Sequence, residues 1–266
     1  MRGMLSLRPA STTAFSILAK HKHNRCPSTS SHSSRVVIIT ARPTTTVTRT
    51  TKARMTLHKI QEPRITSVTD LPTSEAKWVT LRKVAYVDQT GAARTWEVAA
   101  RKTRAASAGV DAVAMGNVLV HPARPASTVL VIQYRPPLDA YTVEWPAGLV
   151  DEGETAEQAA VREFREETGY DCEVVSVSPV QAADPGLSSA NMKLVMVEVK
   201  LGEGDELPEQ RLEDGEHIQR VVVPLAELYE RLVEYSKQER MIVAAKLFHF
   251  AAGMEFMKTR GGQYRL

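Results

Sequence analysis

The order of apolar and polar positions first predicts regular structure near Trp78. Val79 to Val87 has the pattern of a strand, and Asp88 to Gly91 that of a turn. Arg94 to Thr103 then predicts a returning strand. The folded part therefore begins with a β-hairpin, residues 78–103.

Further strand patterns follow the hairpin, broken by one helical pattern in the middle of the chain and two near its end. The middle helix is predicted over Ala156 to Thr168, with Thr155 as N-cap and Gly169 as terminator. Pro224 is predicted to open the second helix, with leucines on one face, and the last helix covers about Arg240 to Met257. The predicted strands are Val110–Val120, Thr128–Tyr134, Cys172–Val180, Leu194–Val199 and Ile218–Val223. We predict an α/β (α+β) fold in which mixed β-sheets are sandwiched with helices, with residues 201–214 as a loop.

Residues 1–60 have a different composition from the rest. They are rich in Ser, Thr, Arg and Lys, and no acidic residue occurs before Glu62. This is typical of a mitochondrial transit peptide. A disordered basic tail stays open as an alternative, as does an untranslated extension with Met55 as the start. We expect a matrix location in the first case, a cytoplasmic or nuclear one for a Met55 start, and a folded domain at 61–266.

Charge and hydropathy exclude some classes of function. Of the net charge of +3, the first 61 residues contribute +11, which leaves −8 for the rest. An acidic domain argues against nucleic acid as a partner. The longest apolar stretches, such as Val129 to Ile132, are strand-sized, so no membrane span is expected. Two cysteines, one of them in the N-terminal extension, fit a reducing compartment.

Three carboxylates share one face of the middle helix. Glu163, Glu166 and Glu167 follow the i, i+3, i+4 spacing, so uncompensated charges there would repel one another. A hard divalent cation would relieve this, and Arg162 can orient one carboxylate. The alternative is a solvated acidic face with arginine pairs. The metal is favoured because Glu166 and Glu167 lie in the last turn, where the helix dipole disfavours anions.

The segment 148–170 resembles the Nudix box of the Nudix hydrolases. The matching positions are Gly148, Glu154, Arg162-Glu163-Phe164, Glu166-Glu167 and Gly169-Tyr170. The resemblance implies that Glu163, Glu166 and Glu167, with the carbonyl of Ala147, hold Mg²⁺ or Mn²⁺ against a pyrophosphate. In such sites the metal neutralises phosphate charge and activates water.

From about Lys77 to Met257 the chain is also similar to the ADP-sugar pyrophosphatases. The matching stretches are Lys77-Trp78-Val79, Arg94-Thr95-Trp96-Glu97, Tyr134-Arg135-Pro136-Pro137, Glu144-Trp145-Pro146-Ala147-Gly148, Asp184-Pro185-Gly186-Leu187-Ser188 and Asp214-Gly215-Glu216. The similarity implies that Trp78 and Trp96, one from each subunit of a homodimer joined through the hairpin, clamp the adenine. Without it, each tryptophan would be interpreted as a core residue.

The same similarity implies roles for six further residues. Glu97 would accept a hydrogen bond from the adenine, Arg101 and Arg135 would bind phosphate, and Leu149 would line the pocket. Asp184 would lie near the terminal ribose. Glu216 would be the catalytic base or position the water, with a box glutamate such as Glu166 as the other candidate base. The alternatives are a surface ion pair for either arginine, a turn cap for Asp184 and a solvated carboxylate for Glu216.

The expected reaction is magnesium-dependent hydrolysis of ADP-ribose, or a related ADP-sugar, to AMP and a sugar 5-phosphate. A second hypothesis is a Nudix hydrolase for another nucleoside diphosphate derivative, such as NADH or an oxidised nucleoside diphosphate. A third, of a different class, is a Nudix module that binds ADP-ribose without cleaving it. Such a module would be expected to lack some box carboxylates, and all of them are present.

Overall fold

Two β-sheets and three α-helices make up the part of the chain that the computed structural model describes, residues 61–107, 109–205 and 207–265. The transit-peptide, tail and start-site hypotheses for residues 1–60 lie outside it. The strands are β1 Val79–Val87, β2 Ala93–Arg101, β3 Ala112–His121, β4 Arg124–Arg135, β5 Ala140–Glu144, β6 Ala147–Leu149, β7 Glu173–Val177, β8 Gln181–Ala182, β9 Asn191–Lys200, β10 Gln219–Pro224 and β11 Met241–Val243. The helices are α1 Ala156–Thr168, α2 Leu228–Tyr235 and α3 Ala245–Tyr264.

Strands β1 and β2 form the predicted hairpin as a separate two-stranded sheet. They pair antiparallel, with Val84 opposite Trp96. Asp88 stabilises the turn because its Oδ1 accepts hydrogen bonds from the Thr90 and Ala92 N–H groups, each at 2.9 Å. Gly91 adopts φ 83°, a left-handed conformation that glycine permits without strain. β1 has its predicted bounds, whereas β2 ends two residues before the predicted Thr103.

The second sheet is mixed, as predicted. Its main path runs β11-β5-β4-β3-β9-β7, with β10 paired to β4, β6 to β3 and β8 to β9. The β3–β9 and β11–β5 pairs are parallel, and the others are antiparallel. The sequence did not predict the short strands β5, β6, β8 and β11. β6 is important for the site because it carries Ala147 and Gly148 directly into the sheet beside β3.

Helices cover both faces of this sheet. Neighbouring strand residues point to opposite faces, so Val129 packs with Phe164 of α1, while Leu130 packs with Leu232 of α2 and Leu247 of α3. All five side chains are essentially buried. The core therefore has two halves, and the half under α1 fixes that helix against β3 and β6.

The boundaries of the two C-terminal helices differ from the prediction. Arg240 adopts φ 53°, which a helix cannot continue through, and Met241–Val243 instead pairs with Tyr141–Val143. α3 begins only at Ala245 and runs to Tyr264. Pro224 ends β10 and is also the N-cap of a 3-10 turn, Leu225–Glu227, that runs directly into α2.

No helix within the described ranges has the length and apolar character needed to cross a membrane.

Candidate active site

Helix α1 is held in place by its ends and by one apolar face. The Thr155 hydroxyl accepts from the Gln158 N–H at 3.2 Å, and the Gln158 side chain accepts from the Thr155 N–H at 2.9 Å. Gly169 ends the helix at φ 79°. The predicted capping box and glycine terminator are confirmed, and Ala160 and Phe164 on the apolar face are fully buried. This packing determines where the glutamates of α1 lie.

Gly148 allows Glu163 to pack against the backbone of β6. A Cβ atom at position 148 would lie 1.9 Å from the Glu163 Cδ and 2.1 Å from its Oε1. Any larger residue would therefore displace the carboxylate. This close approach explains why a glycine stands at position 148, the first position of the segment 148–170.

Arg162 binds several carboxylates of the segment at once. It donates to both oxygens of Glu154 at 2.9 and 3.0 Å, and to Glu166 at 3.2 Å, and it lies 2.9 Å from the Glu163 Oε1. It also donates to the Leu149 carbonyl at 3.1 Å and lies 3.8 Å from the Asp151 Oδ2. The hydrogen bond to Glu154 is the main reason why the pKa of Arg162 is raised above its usual range. Arg162 therefore orients Glu163 and Glu166, as expected.

Glu167 is the most enclosed carboxylate of the cluster. It is only 4% exposed, and its Oε2 accepts from the Ala147 N–H at 3.1 Å. Burial, together with the negative charges of Glu163 and Glu216, raises the pKa of Glu167 to about 8. Burial also raises the pKa of Glu163. The alternative of a solvated acidic face is therefore wrong for Glu167, whereas Glu163 is half-buried and forms the arginine pair that this alternative expected.

Arg135 lies beside the acidic cluster and is fixed by a residue to which the sequence analysis gave no role. Its Nε and Nη2 donate to the two oxygens of Glu144 at 2.8 and 3.2 Å. Burial alone would raise the pKa of Glu144, but the hydrogen bonds from Arg135 and Thr142 hold it below the usual range. Glu144 lies opposite Val131 in the β4–β5 pair, a long-range pairing that local pattern does not predict.

Glu216 lies in an exposed loop before β10. Its Oε2 accepts from the Glu213 N–H at 3.0 Å, and its own N–H donates to the Glu213 carbonyl at 3.1 Å. Its charge contributes to the raised pKa values of Glu163, Glu167 and Arg135. Glu216 thus lies within electrostatic range of these three side chains, although 49 residues separate it from Glu167.

The two hairpin tryptophans are exposed and far apart in one chain. Trp78 is 69% exposed and Trp96 is 51% exposed, so the interpretation as core residues is wrong for both. Trp78 precedes β1, and Val84, opposite Trp96, is six residues further on. Six residues of strand span roughly 20 Å. One chain therefore cannot stack both rings on a single base.

The remaining predicted binding residues lie at the surface. The Trp96 Nε1 donates to the Gly186 carbonyl at 3.2 Å, which places this ring beside the turn that contains Asp184. Glu97 and Arg101 are exposed on β2, Leu149 is exposed at the end of β6, and Asp184 is exposed in the turn after β8. The Asp184 carbonyl accepts from the Ser188 N–H at 2.9 Å, so the turn that the sequence suggested is present.

A cavity of about 600 Å³ opens beside α1. It is lined by Glu157, Gln158, Val161, Arg162, Arg165, Glu166, Val174 and Arg211. Glu166 belongs to it, but neither tryptophan nor Asp184 does. Within one chain, this cavity does not unite the acidic cluster with the hairpin residues.

Residues 112–244 match the family model described as NUDIX domain. The chain belongs to the Nudix family. An uncharacterized Nudix hydrolase of Schizosaccharomyces pombe is 37% identical over 195 residues, which cover 73% of this chain and 94% of the relative. ADP-sugar pyrophosphatase of Mus musculus is 36% identical over 188 residues, which cover 70% of this chain and 86% of the relative. ADP-ribose pyrophosphatase of Saccharomyces cerevisiae is 39% identical over 168 residues, which cover 62% of this chain and 72% of the relative.

Nudix hydrolases need a divalent metal, and the buried carboxylates of this member fit one. Glu163 and Glu167 provide hard oxygen donors whose negative charges the neighbouring protein groups offset only in part. Among the described residues, no group of three or more His, Cys, Asp or Glu side chains has the geometry of a metal site. Arg162 and the Ala147 N–H engage the carboxylates instead. Holding a metal would therefore require these side chains to rotate towards one point.

Proposed function

We propose that this Nudix hydrolase cleaves the diphosphate bond of ADP-ribose or a related ADP-sugar, using Mg²⁺. One observation carries the proposal: the half-buried Glu163 and the buried Glu167 lie within electrostatic range of Glu216, and the half-buried Arg135 within range of Glu167 and Glu216. Anionic oxygens for a dication and a cation for phosphate are thus together. The substrate class is supported by two similar proteins, named ADP-sugar pyrophosphatase and ADP-ribose pyrophosphatase.

The proposed reaction is hydrolysis with balanced products. The oxygen of one water forms a bond to a phosphorus of ADP-ribose, and the bond from that phosphorus to the bridging oxygen breaks. AMP and ribose 5-phosphate leave, and the proton of the water passes to a carboxylate. Such general-base help typically accelerates a reaction by about 10²- to 10⁴-fold.

Residues of the chain divide the work among them. Glu163, Glu166 and Glu167, with Ala147, would hold the metal, and Arg162 keeps the first two in orientation. Arg135 would bind a phosphate oxygen through Nη1, which the pair with Glu144 leaves out. Glu216 would accept the proton. A bound divalent cation supplies neutralisation of phosphate charge and polarisation of the phosphorus.

The adenine would be bound between two copies of the chain. Trp78 of one copy and Trp96 of the other would stack on the base, with Glu97 accepting from its amino group. Arg101 would add a second phosphate contact, while Leu149 and Asp184 would bound the sugar end. The separation of the two rings along the hairpin supports this homodimer. Base stacking on an aromatic ring contributes about 1–3 kcal/mol.

Direct product analysis tests the proposal. Purified protein is incubated with ADP-ribose, ADP-glucose, NADH and an oxidised nucleoside diphosphate, each with Mg²⁺, with Mn²⁺ or with EDTA. We expect AMP and ribose 5-phosphate from ADP-ribose in the presence of a metal, and no product with EDTA.

Two other results would redirect the assignment. Faster cleavage of NADH or of the oxidised nucleotide would make the protein a Nudix hydrolase of another specificity. Tight binding of ADP-ribose without any product would make it a binding module.

A further inference from the structure

The loop that carries Glu216 is fastened to the end of helix α1. The last carbonyls of a helix have no partner within it. In α1, three consecutive carbonyls accept hydrogen bonds from residues that precede and follow Glu216 in the sequence. The Glu166 carbonyl accepts from the Arg211 N–H at 2.9 Å, and the Glu167 carbonyl accepts from the Gln210 Nε2 at 2.6 Å. The Thr168 carbonyl accepts from the Arg220 Nη1.

Gln210 also joins the two ends of this loop to each other. Its Nε2 donates a second hydrogen bond to the Ile218 carbonyl at 3.1 Å. The amide of one side chain therefore binds the backbone of Glu167 and the backbone two residues beyond Glu216. Residues 211–217 therefore form a loop whose two ends are joined by the side chain of Gln210.

The last glycine of the Nudix box, Gly169, allows the loop to pack closely against the end of α1. A Cβ atom at Gly169 would lie 2.4 Å from the Glu209 carbonyl oxygen and 3.1 Å from the Arg220 Nη1. Both neighbours belong to the segment that closes on the helix end. Gly169 therefore serves helix termination and loop docking at once.

We infer that Gln210 and Arg220 are positioning residues that set Glu216 against the carboxylates of α1. This inference rests on the proposed function, in which Glu216 accepts a proton from the attacking water. The three carbonyls belong to Glu166, Glu167 and Thr168. The loop is therefore anchored directly to the turn of α1 that carries the proposed metal ligands. An error of about 1 Å in such an arrangement can lower the rate about 100-fold.

The side-chain amide of Gln210 provides two N–H donors, which a carboxylate of the same shape cannot provide. Both of its N–H bonds are directed to carbonyl oxygens, so Gln210→Glu would set a carboxylate against two acceptors. Gln210→Ala removes the donors and leaves the two carbonyls to water. We expect Gln210→Glu to impair the enzyme more than Gln210→Ala, although glutamate has nearly the same shape as glutamine.

A double-mutant cycle tests whether Gln210 acts through Glu216. We expect Gln210→Ala to lower kcat about 10- to 100-fold with KM nearly unchanged. On a Glu216→Gln background, the same substitution should change kcat less than twofold. Equal losses on both backgrounds, or a loss confined to KM, would overturn the inference. Gln263→Ala, an exposed glutamine at the end of α3, is the matched control and should change neither constant.

Arg220 provides a rescue test of the same inference. Arg220→Lys keeps a cationic donor at the end of α1, where the helix dipole favours a positive charge, whereas Arg220→Gln removes the charge. We expect Arg220→Lys to keep most of kcat and Arg220→Gln to lose it. Equal loss in both variants, with unchanged thermal midpoints, would contradict a positioning role.

Amide exchange of residues 207–217 separates this inference from the proposed function. The exchange is followed by mass spectrometry in the full chain without substrate, so it needs no activity. Faster exchange in Gln210→Ala than in wild type is expected, and unchanged exchange overturns the inference. If wild type shows the fastening but hydrolyses none of the substrates tested, the proposed function fails while the fastening stands.

Discussion

The turn of α1 that bears the glutamates and the β1–β2 hairpin use their polar and apolar groups in opposite ways. Around α1, Glu167 is buried and Glu163 is half-buried, and groups of the same chain, such as Arg162 and the Ala147 N–H, offset their charges only in part. In the hairpin, large apolar side chains including Trp78, Leu81 and Val87 lie exposed. Burying a charge and exposing apolar surface are both unfavourable by themselves. Each arrangement therefore indicates something that binds there.

The difference identifies what each region still requires. The carboxylates of the α1 cluster come from one chain, and holding a cation would require only that their side chains rotate towards one point. The hairpin contacts the 184–189 turn through Trp96 and through Ala99, which exchanges backbone hydrogen bonds of 3.0 Å with Leu187 and Ser189. Its exposed apolar face requires a second surface. Metal binding is thus proposed to depend on a single chain, and base binding on two.

The largest expected effect concerns Glu167. Glu167→Gln keeps the shape and the hydrogen bond from Ala147 but removes the buried charge. We expect turnover to fall by a factor of about 10³ or more, because this carboxylate is proposed to hold a dication. We also expect the metal-free protein to unfold at a higher temperature at pH 8 and above, since the burial that raises the pKa of Glu167 to about 8 penalises its ionised form. Steady-state kinetics and thermal unfolding in EDTA measure the two effects.

A control on the same helix sharpens this test. Glu157→Gln changes an exposed glutamate of the first turn and should alter neither turnover nor the unfolding temperature in EDTA. Near-normal activity of Glu167→Gln would remove Glu167 from the metal site.

Gly148→Ala should produce the next largest effect. The added methyl group meets the movable end of the Glu163 side chain, so that the carboxylate has to shift while the fold is kept. We expect about a 100-fold lower rate and a higher Mg²⁺ concentration for half-maximal activity. A magnesium titration of the rate measures this. Gly253→Ala, where the added atom meets nothing within 4 Å, is the control.

Elements that local chemistry defines were predicted well, and those that depend on distant pairing were not. α1 has its predicted bounds because Thr155, Gln158 and Gly169 cap it locally. β11 was interpreted as helix because its partner β5 lies about 100 residues earlier, and the apolar residues Met241–Val243 suit either structure. The cluster residues of α1 follow from one helical spacing. Glu144 and Gln210 were missed because each acts on a group that only the folded sheet or loop brings near.

Mixing two hairpin variants should produce a smaller effect with a clear sign. Trp78→Ala and Trp96→Ala are each expected to raise the KM for ADP-ribose roughly 10-fold, from the loss of stacking on the base. If each site takes one ring from each chain, a heterodimer of the two variants contains one intact site and one doubly altered site. Mixed and re-equilibrated protein should then regain part of the tight-binding activity.

Two measurements complete that experiment. Sedimentation should show that the variants remain dimers, and Trp96→Phe should keep a KM close to wild type. No recovery on mixing, in protein shown to exchange subunits, would place both rings of a site in the same chain or outside it.

The smallest effect is expected at the turn of the hairpin. Asp88 accepts from Thr90, Ala92 and Arg94, and the side-chain hydrogen bonds, that from Thr90 first, hold the pKa of this exposed carboxyl well below its usual range. Asp88→Ala should speed amide exchange of β1 and β2 about twofold at pH 7, and leave α1 unchanged.

The sign of the pH dependence follows from the lowered pKa of Asp88. The stabilisation of the turn is complete above pH 3.8, the ordinary pKa, and is lost as the pH falls from there through the lowered value. The difference between wild type and Asp88→Ala, corrected for the intrinsic pH dependence of exchange, should therefore shrink below pH 3.8. Asp205→Ala, which removes a similar turn acceptor elsewhere, should not affect the hairpin. If Asp88→Ala changed α1 as strongly as β1, the hairpin and the α1 region would not be independent, and the contrast between them would fail.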